Sequence, residues 1–361
     1  MVTTGKERAM AKQIRKRLVD WLRAERDQKV SHGLYQNTQL VFAYNSNHME
    51  GSTLSPEQTA QLFDTGALLP ENADDEIRLD DATETVNHFR AFDRILDLAD
   101  EPVDKAMVCE LHAILKHGTS QETDPSRNVG GWKTLPNVIS PIEGIHTVLP
   151  RDVPRAMNDV FKAFAELRDD PYQTARAHWL FETTHPFSDG NGRIGRLVLF
   201  KEMLRLDAVP PLIRDANRNY YTRGLRRFGS QPAYLVDTLL NERDYYRTMM
   251  ETLAPGMLRY TYIDEWADRH EVETRCESEP ERNPYVRDRW NDEDLKSVTP
   301  SERFILGYGF VPPRNATSEE KGRSEGASRS TGALAFPDPM PAPAPVPPQT
   351  PDDGGDGPRP V

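Results

Sequence analysis

Apolar residues recur at helical spacing through the first two-thirds of the chain. Residues 6–28 read as a charged amphipathic helix with Ile14, Leu18, Trp21 and Leu22 on one side. A second helix is predicted from about Tyr35 to Met49, through Leu40, Val41 and Tyr44, and closed by Gly51. Ser55-Pro56-Glu57-Gln58 has the form of an N-cap with proline at the first helical position. Residues 80–99 give a strong helix through Val86, Phe89, Phe92, Ile95 and Leu96. Pro102 opens the next, which carries Met107, Leu111, Ile114 and Leu115.

The pattern changes between 128 and 150. Gly130-Gly131-Trp132 is followed by Pro136–Ile139 and His146–Leu149, which alternate apolar and polar around Pro141 and Gly144. That is a β-hairpin signal inside a helical chain. Helices resume at Pro154–Leu167 and at Tyr172–Thr184, the latter ending before Pro186. Ile194, Leu197, Val198, Met203 and Leu204 mark another to about Leu206, and Tyr220–Phe228 and Ala233–Pro255 the last two. Beyond residue 265 the segments are charged with isolated aromatics, so residues 261–311 read as a partly ordered extension. From Pro312 the chain is rich in Ser, Gly and Pro, and residues 312–361 are expected to be a disordered tail. Its Pro-x-x-Pro-like spacing leaves an SH3-type ligand as the alternative to an inert tail.

Composition narrows the class. The 361 residues are 37% hydrophobic and 28% charged, which suits a soluble protein with a modest core. A formal net charge of −12 argues against a general nucleic-acid binder, which needs a basic surface. No apolar run approaches the ~20 residues needed to span a bilayer, and the charged start lacks a signal-peptide core. The expectation is a cytoplasmic protein with neither nucleic acid nor membrane as partner. Cys109 and Cys276 have neither disulfide nor zinc spacing. Cys109, in an apolar helical pattern, reads as a buried core thiol.

The chemistry gathers in residues 185–196, His-Pro-Phe-Ser-Asp-Gly-Asn-Gly-Arg-Ile-Gly-Arg. Gly190 and Gly192 flank Asn191 and would let backbone N–H groups converge into an anion-binding nest. The helical segment after Gly192 would point the positive end of its dipole at the same anion. Arg193 and Arg196, three apart on one helical face, can grip phosphate oxygens with their forks. Asp189, beside phosphates, could hold a divalent metal or cap the helix. His185, with an ordinary pKa near 6.5, suits removal of a proton from an attacking hydroxyl.

This run resembles the signature of the Fic family, His-x-Phe-x-Asp/Glu-Gly-Asn-Gly-Arg-x-x-Arg. Every fixed position is filled, by His185, Phe187, Asp189, Gly190, Asn191, Gly192, Arg193 and Arg196. The resemblance implies that His185 is the general base and Asp189 the Mg²⁺ ligand. It assigns Gly190, Asn191 and Gly192 to nucleotide binding, with the Asn191 side chain on phosphate, and Arg193 and Arg196 to the β- and γ-phosphates. Phe187 more simply packs in the core and anchors the loop.

A second constellation is Ser46-Asn47-His48-Met49-Glu50-Gly51. Ser46 and Glu50 are four apart and share a helix face, and Gly51 would end the helix behind the carboxylate. An ordinary helix terminus accounts for this pattern. It also resembles the inhibitory motif Ser/Thr-x-x-x-Glu-Gly/Asn of the same family, in the class whose inhibitory helix is N-terminal. Under that reading Glu50 pairs with Arg196 and denies it to the γ-phosphate.

The resemblance covers about residues 35–250. It implies an all-α fold with a small β-hairpin flap: an N-terminal helical region over 1–100 with the inhibitory helix at about 35–50, then a catalytic core over 101–260. The implied activity is protein adenylylation, moving AMP from ATP with Mg²⁺ to a Ser, Thr or Tyr hydroxyl of a target protein or of the chain itself. A homodimer stays open. The alternatives are removal of AMP from a modified protein, transfer of another nucleotide-derived group, and a non-catalytic nucleotide-dependent binding module.

Overall fold

The structure, a computed structural model, describes residues 15–68, 77–140, 145–261 and 282–286. Ten α-helices account for most of these residues. They are α1 (Leu18–Gln28), α2 (Leu34–Met49), α3 (Pro56–Thr65), α4 (Leu79–Asp97) and α5 (Lys105–Lys116), then α6 (Val153–Ala165), α7 (Pro171–Thr184), α8 (Asn191–Arg205), α9 (Arg218–Arg227) and α10 (Ala233–Leu253). The predicted helices are all present, with shifted ends. The helix expected from Pro102 begins at Lys105, because the Asp104 side chain accepts the Met107 N–H and sets the N-cap there. The cap expected at Ser55 is a full capping box with Gln58.

Two short strand pairs accompany the helices. Lys16–Arg17 (β1) lies parallel to Leu258–Arg259 (β4), in register Lys16 with Leu258. The first helix therefore starts at Leu18 rather than near residue 6; residues 1–14 lie outside the described residues. The hairpin expectation is met by Val138–Ser140 (β2) antiparallel to Ile145–His146 (β3). Cys109 is half-buried rather than fully buried. Cys276 and the tail from Pro312 lie outside the described residues.

α8 sits at the centre. Every residue from Asn191 to Leu204 is buried, and α7, α4, α5 and α2 pack around it. A helix covered on all sides needs its neighbours close, and Gly195 permits this. An added Cβ there would collide with the Glu182 carboxylate and approach Phe181 to 2.9 Å. Charged residues inside the helix are paired rather than exposed, as with Lys201 and Glu202 at 2.7 Å. One hydrophobic cluster runs from Leu18, Phe42 and Phe92 through Leu111, Phe181 and Phe200 to Tyr246. Among the described residues no helix is long and apolar enough to cross a membrane.

Candidate active site

The loop between α7 and α8 brings His185, Asp189, Gly190, Asn191, Gly192, Arg193 and Arg196 together at the N-terminus of the central helix. α7 ends because His185 adopts a left-handed conformation, φ +51°. A non-glycine residue holds that conformation at a cost, so its surroundings must fix it. The His185 N–H donates to the Phe181 carbonyl at 3.0 Å. Its Nδ1 lies 3.1 Å from the Glu182 carbonyl. A carbonyl can only accept, so the neutral ring carries its proton on Nδ1, leaving Nε2 as the acceptor. Burial, then the nearby Lys133 charge, pushes the imidazole down to about 4. His185 is therefore neutral at physiological pH.

Asn191 is bonded within the loop. Its Oδ1 accepts the Phe187 N–H at 2.8 Å and its Nδ2 donates to the Phe187 carbonyl at 2.9 Å. The amide thus braces the loop, with Oδ1 and one of the two Nδ2 hydrogens engaged. Phe187 is fully buried, as expected, and stacks on the His112 ring with centroids 4.0 Å apart. His112 Nδ1 accepts from the Gly130 N–H at 3.0 Å, which leaves Nε2–H to donate to the Asp189 carbonyl at 3.2 Å. Gly190 begins α8 at φ +76° with Leu115 and Lys116 packed beside it. Glycine tolerates both the angle and the crowding.

The second constellation reaches the same place from α2. Arg196 Nη2 donates to Glu50 Oε1 at 2.7 Å and to the Ser46 carbonyl at 2.9 Å, while its Nε donates to Ser46 Oγ at 3.0 Å. A Cβ added to Gly192 would run into Glu50 Oε1. The carboxylate thus lies against the backbone that opens α8, where an anion would be received. Burial pushes the Glu50 carboxyl up, but the Arg196 and Arg193 charges outweigh it and hold the group below the ordinary value. Glu50 is ionised at neutral pH.

Arg193 Nη1 pairs with Glu84 of α4 and reaches Asn47 Oδ1 at 3.4 Å, and its Nη2 lies 3.4 Å from Asp189 Oδ2. Lys116 of α5, itself fully buried, places its Nζ between Glu84 Oε1 and Asp189 Oδ2. Gln121 adds a bond to Asp189 Oδ2 at 2.9 Å. Asp189 is thus a member of a charge cluster rather than the cap of α8. Burial pushes its carboxyl up, yet Lys116 and Arg193 prevail and keep it far below the usual carboxylate range. All three contacts use Oδ2, and 40% of the side chain is accessible, so Oδ1 can take a cation. No group of three or more His, Cys, Asp or Glu among the described residues could hold a metal alone. A divalent ion here would draw most of its oxygen ligands from a bound phosphate, as Mg²⁺ commonly does.

Beneath Arg196 lies a polar layer that the sequence did not announce. Glu182 and His178, one turn apart on α7, are 3.8 Å apart and buried. His178 Nε2 and the Tyr221 hydroxyl of α9 are hydrogen-bonded at 2.7 Å. Burial raises the Glu182 carboxyl to about 8 and lowers His178 to about 3, so both are neutral at pH 7. At the flap's base the buried Lys133 Nζ donates to Asn137 Oδ1 and Thr147 Oγ1, each at 2.7 Å. Its backbone N–H donates to the Pro186 carbonyl at 2.8 Å. His112 and Lys116 are four apart and so share one face of α5; that spacing was the available signal for them. His178 and Glu182 share the same spacing on α7, whereas Glu84 and Lys133 had no such signal.

Residues 102–202 match the family model described as Fic/DOC family. A Caenorhabditis elegans protein named protein adenylyltransferase fic-1 is 27% identical over 196 residues, which is 52% of this chain and 36% of that protein. The Nematostella vectensis protein adenylyltransferase Fic is 26% identical over 188 residues, 49% of this chain and 40% of that protein. The chain thus spans less than half the length of these curated relatives. Among solved structures, a Fic domain containing signaling protein from Bacteroides thetaiotaomicron superposes with a TM-score of 0.51 at 21% identity, over 68% of this chain and 99% of that one. That likeness is one of fold. The α5–α8 region, with the loop that holds His185 and both arginines, is a Fic domain.

Proposed function

We propose that this chain is a protein adenylyltransferase that moves AMP from ATP to a Ser, Thr or Tyr hydroxyl of a target protein, and that Glu50 restrains it. The observation that carries this reading is the placement of His185 Nε2, a neutral acceptor, beside a helix N-terminus flanked by Arg193 and Arg196. An anion-binding mouth with a base at its edge suits attack on a phosphoryl centre by a hydroxyl. His185 takes the hydroxyl proton at Nε2, the oxygen bonds to the α-phosphorus, and the bond to the pyrophosphate oxygen breaks. Backbone N–H groups at the start of α8, with Arg193 and Arg196, stabilise the charge on the leaving pyrophosphate. Asp189 Oδ1 would hold Mg²⁺, which when bound neutralises phosphate charge.

Restraint follows from the same geometry. While Glu50 lies against Gly192 and pairs with Arg196, the γ-phosphate has neither the arginine nor the space. A triphosphate bound despite this would sit out of line, and misalignment alone costs orders of magnitude in rate.

The test is incorporation of labelled AMP from ATP with Mg²⁺, comparing the native chain, Glu50→Gly, and Glu50→Gly with His185→Ala. Strong labelling of the chain or a lysate protein in the single variant, abolished in the double, is the expected result. Loss of AMP from a pre-modified protein, without gain, would favour the reverse reaction. Nucleotide binding with neither would leave a binding module.

A further inference from the structure

Lys116 is a buried lysine shared between two carboxylates. One belongs to Asp189, the residue of the loop with an oxygen left for a cation; the other, Glu84, stands on α4. Within the cluster the cations are Lys116, Arg193 and Arg196, and the facing carboxylates are Glu50, Glu84 and Asp189. Three charges of each sign leave it neutral. A second cation can join Asp189 only by weakening the hold of the lysine already on it, because like charges on one carboxylate repel. Glu84 makes that exchange feasible. Lys116 Nζ already touches Glu84 Oε1, so on releasing Asp189 it would not become an unpaired buried charge, which is strongly unfavourable.

We propose that Lys116 is a positioning residue that sets the affinity of Asp189 for its divalent cation, competing for the carboxylate while Glu84 draws the amine away. The idea rests on Asp189 being the metal residue of the proposed function. It separates from a plain structural role by sign. Removing the amine frees Asp189 and tightens cation binding. Removing the Glu84 charge leaves Lys116 with one anionic partner, Asp189, and releases Arg193 toward it as well, so cation binding weakens. Were the pair only a brace, both changes would loosen the site.

Mn²⁺ serves as the probe, its binding followed by electron paramagnetic resonance with a saturating non-hydrolysable ATP analogue. The proteins are the full chain carrying Glu50→Gly and the same chain with Lys116→Met, Lys116→Arg or Glu84→Gln added. Circular dichroism first checks that each is folded, with Lys116→Gln replacing Lys116→Met if that variant is not. Lys116→Met is expected to tighten Mn²⁺ binding about tenfold, and Glu84→Gln to weaken it about tenfold, the scale typical of residues behind a metal ligand. Lys116→Arg, which keeps the charge, should stay near the parent. Shifts of the same sign, or none, overturn the proposal while leaving the Asp189 assignment intact. Absence of Mn²⁺ uptake by the parent overturns both.

Discussion

Arg196 and Glu50, 146 positions apart in the chain, meet at 2.7 Å with the arginine almost fully buried. Opposite charges so placed hold α2 against the N-terminus of α8. In Glu50→Gly, Arg196 keeps Ser46 but loses its carboxylate. Because 32% of the Glu50 side chain is accessible, solvent screens the pair, and a loss of about 1–2 kcal/mol is expected, including the glycine penalty. Saturating ATP should recover that loss by mass action. In a thermal-shift assay the variant should therefore start lower and gain more from ATP than the native chain. An equal ATP-induced shift would mean the carboxylate does not obstruct the nucleotide.

His185→Ala should remove transfer and leave ATP affinity within about threefold, since the ring meets the attacking hydroxyl and not the phosphates. Retention of more than a few per cent of activity would place the base elsewhere.

The imidazole of His185 should stay neutral and protonated at Nδ1 until the pH falls to about 4. Two-bond ¹H–¹⁵N NMR of histidine-labelled protein reads both the tautomer and the titration. Charging near the ordinary 6.5 would show that burial and Lys133 do not act on the ring as the geometry implies.

Glu182 makes stability depend on pH in the alkaline direction. Its folded value of about 8 lies above that of an unfolded carboxyl. The native state therefore holds a proton the unfolded chain lacks, and the linked stability, complete below the unfolded value, is lost as pH rises through about 8. His178, lowered to about 3, works oppositely: its contribution is present above the ordinary histidine value and lost as pH falls through about 3. Glu182→Gln should flatten the decline in melting temperature between the ordinary carboxyl range and about pH 8. An unchanged slope across that window would assign the decline to other groups.

Asn191→Ala breaks both bonds to Phe187; the carbonyl keeps the Asn137 Nδ2 donor at 3.0 Å, but the buried N–H is left unpaired, which costs about 1–3 kcal/mol. Because the amide braces the loop through Phe187, kcat should fall more than KM rises. A change confined to KM would mean that the side chain reaches the phosphates after all.

What the sequence made legible was whatever is contiguous or periodic. The loop from His185 to Arg196 could be read because its chemistry fits in twelve positions, and α2 and α4 because apolar residues mark one face. The bracing by Asn191 was not legible, since an amide between two glycines gives no sign that it turns back onto Phe187. Glu84 and Lys133 were invisible because they stand on other elements and join the site through packing alone. The β1–β4 pair escaped for another reason: two residues per strand carry no period.

From Asn191 to Leu204, α8 is buried on every side. A helix whose flanks are all occupied offers no side from which a small molecule or a modifying enzyme could act on it. Whatever governs the two arginines must come through the open N-terminal mouth or by moving a neighbouring helix. Glu50, at the end of α2, pairs with Arg196, and Glu84 of α4 pairs with Arg193. Both carboxylates that neutralise the arginines thus stand outside the matched residues 102–202, where a substitution changes the charge around the loop without changing the loop itself.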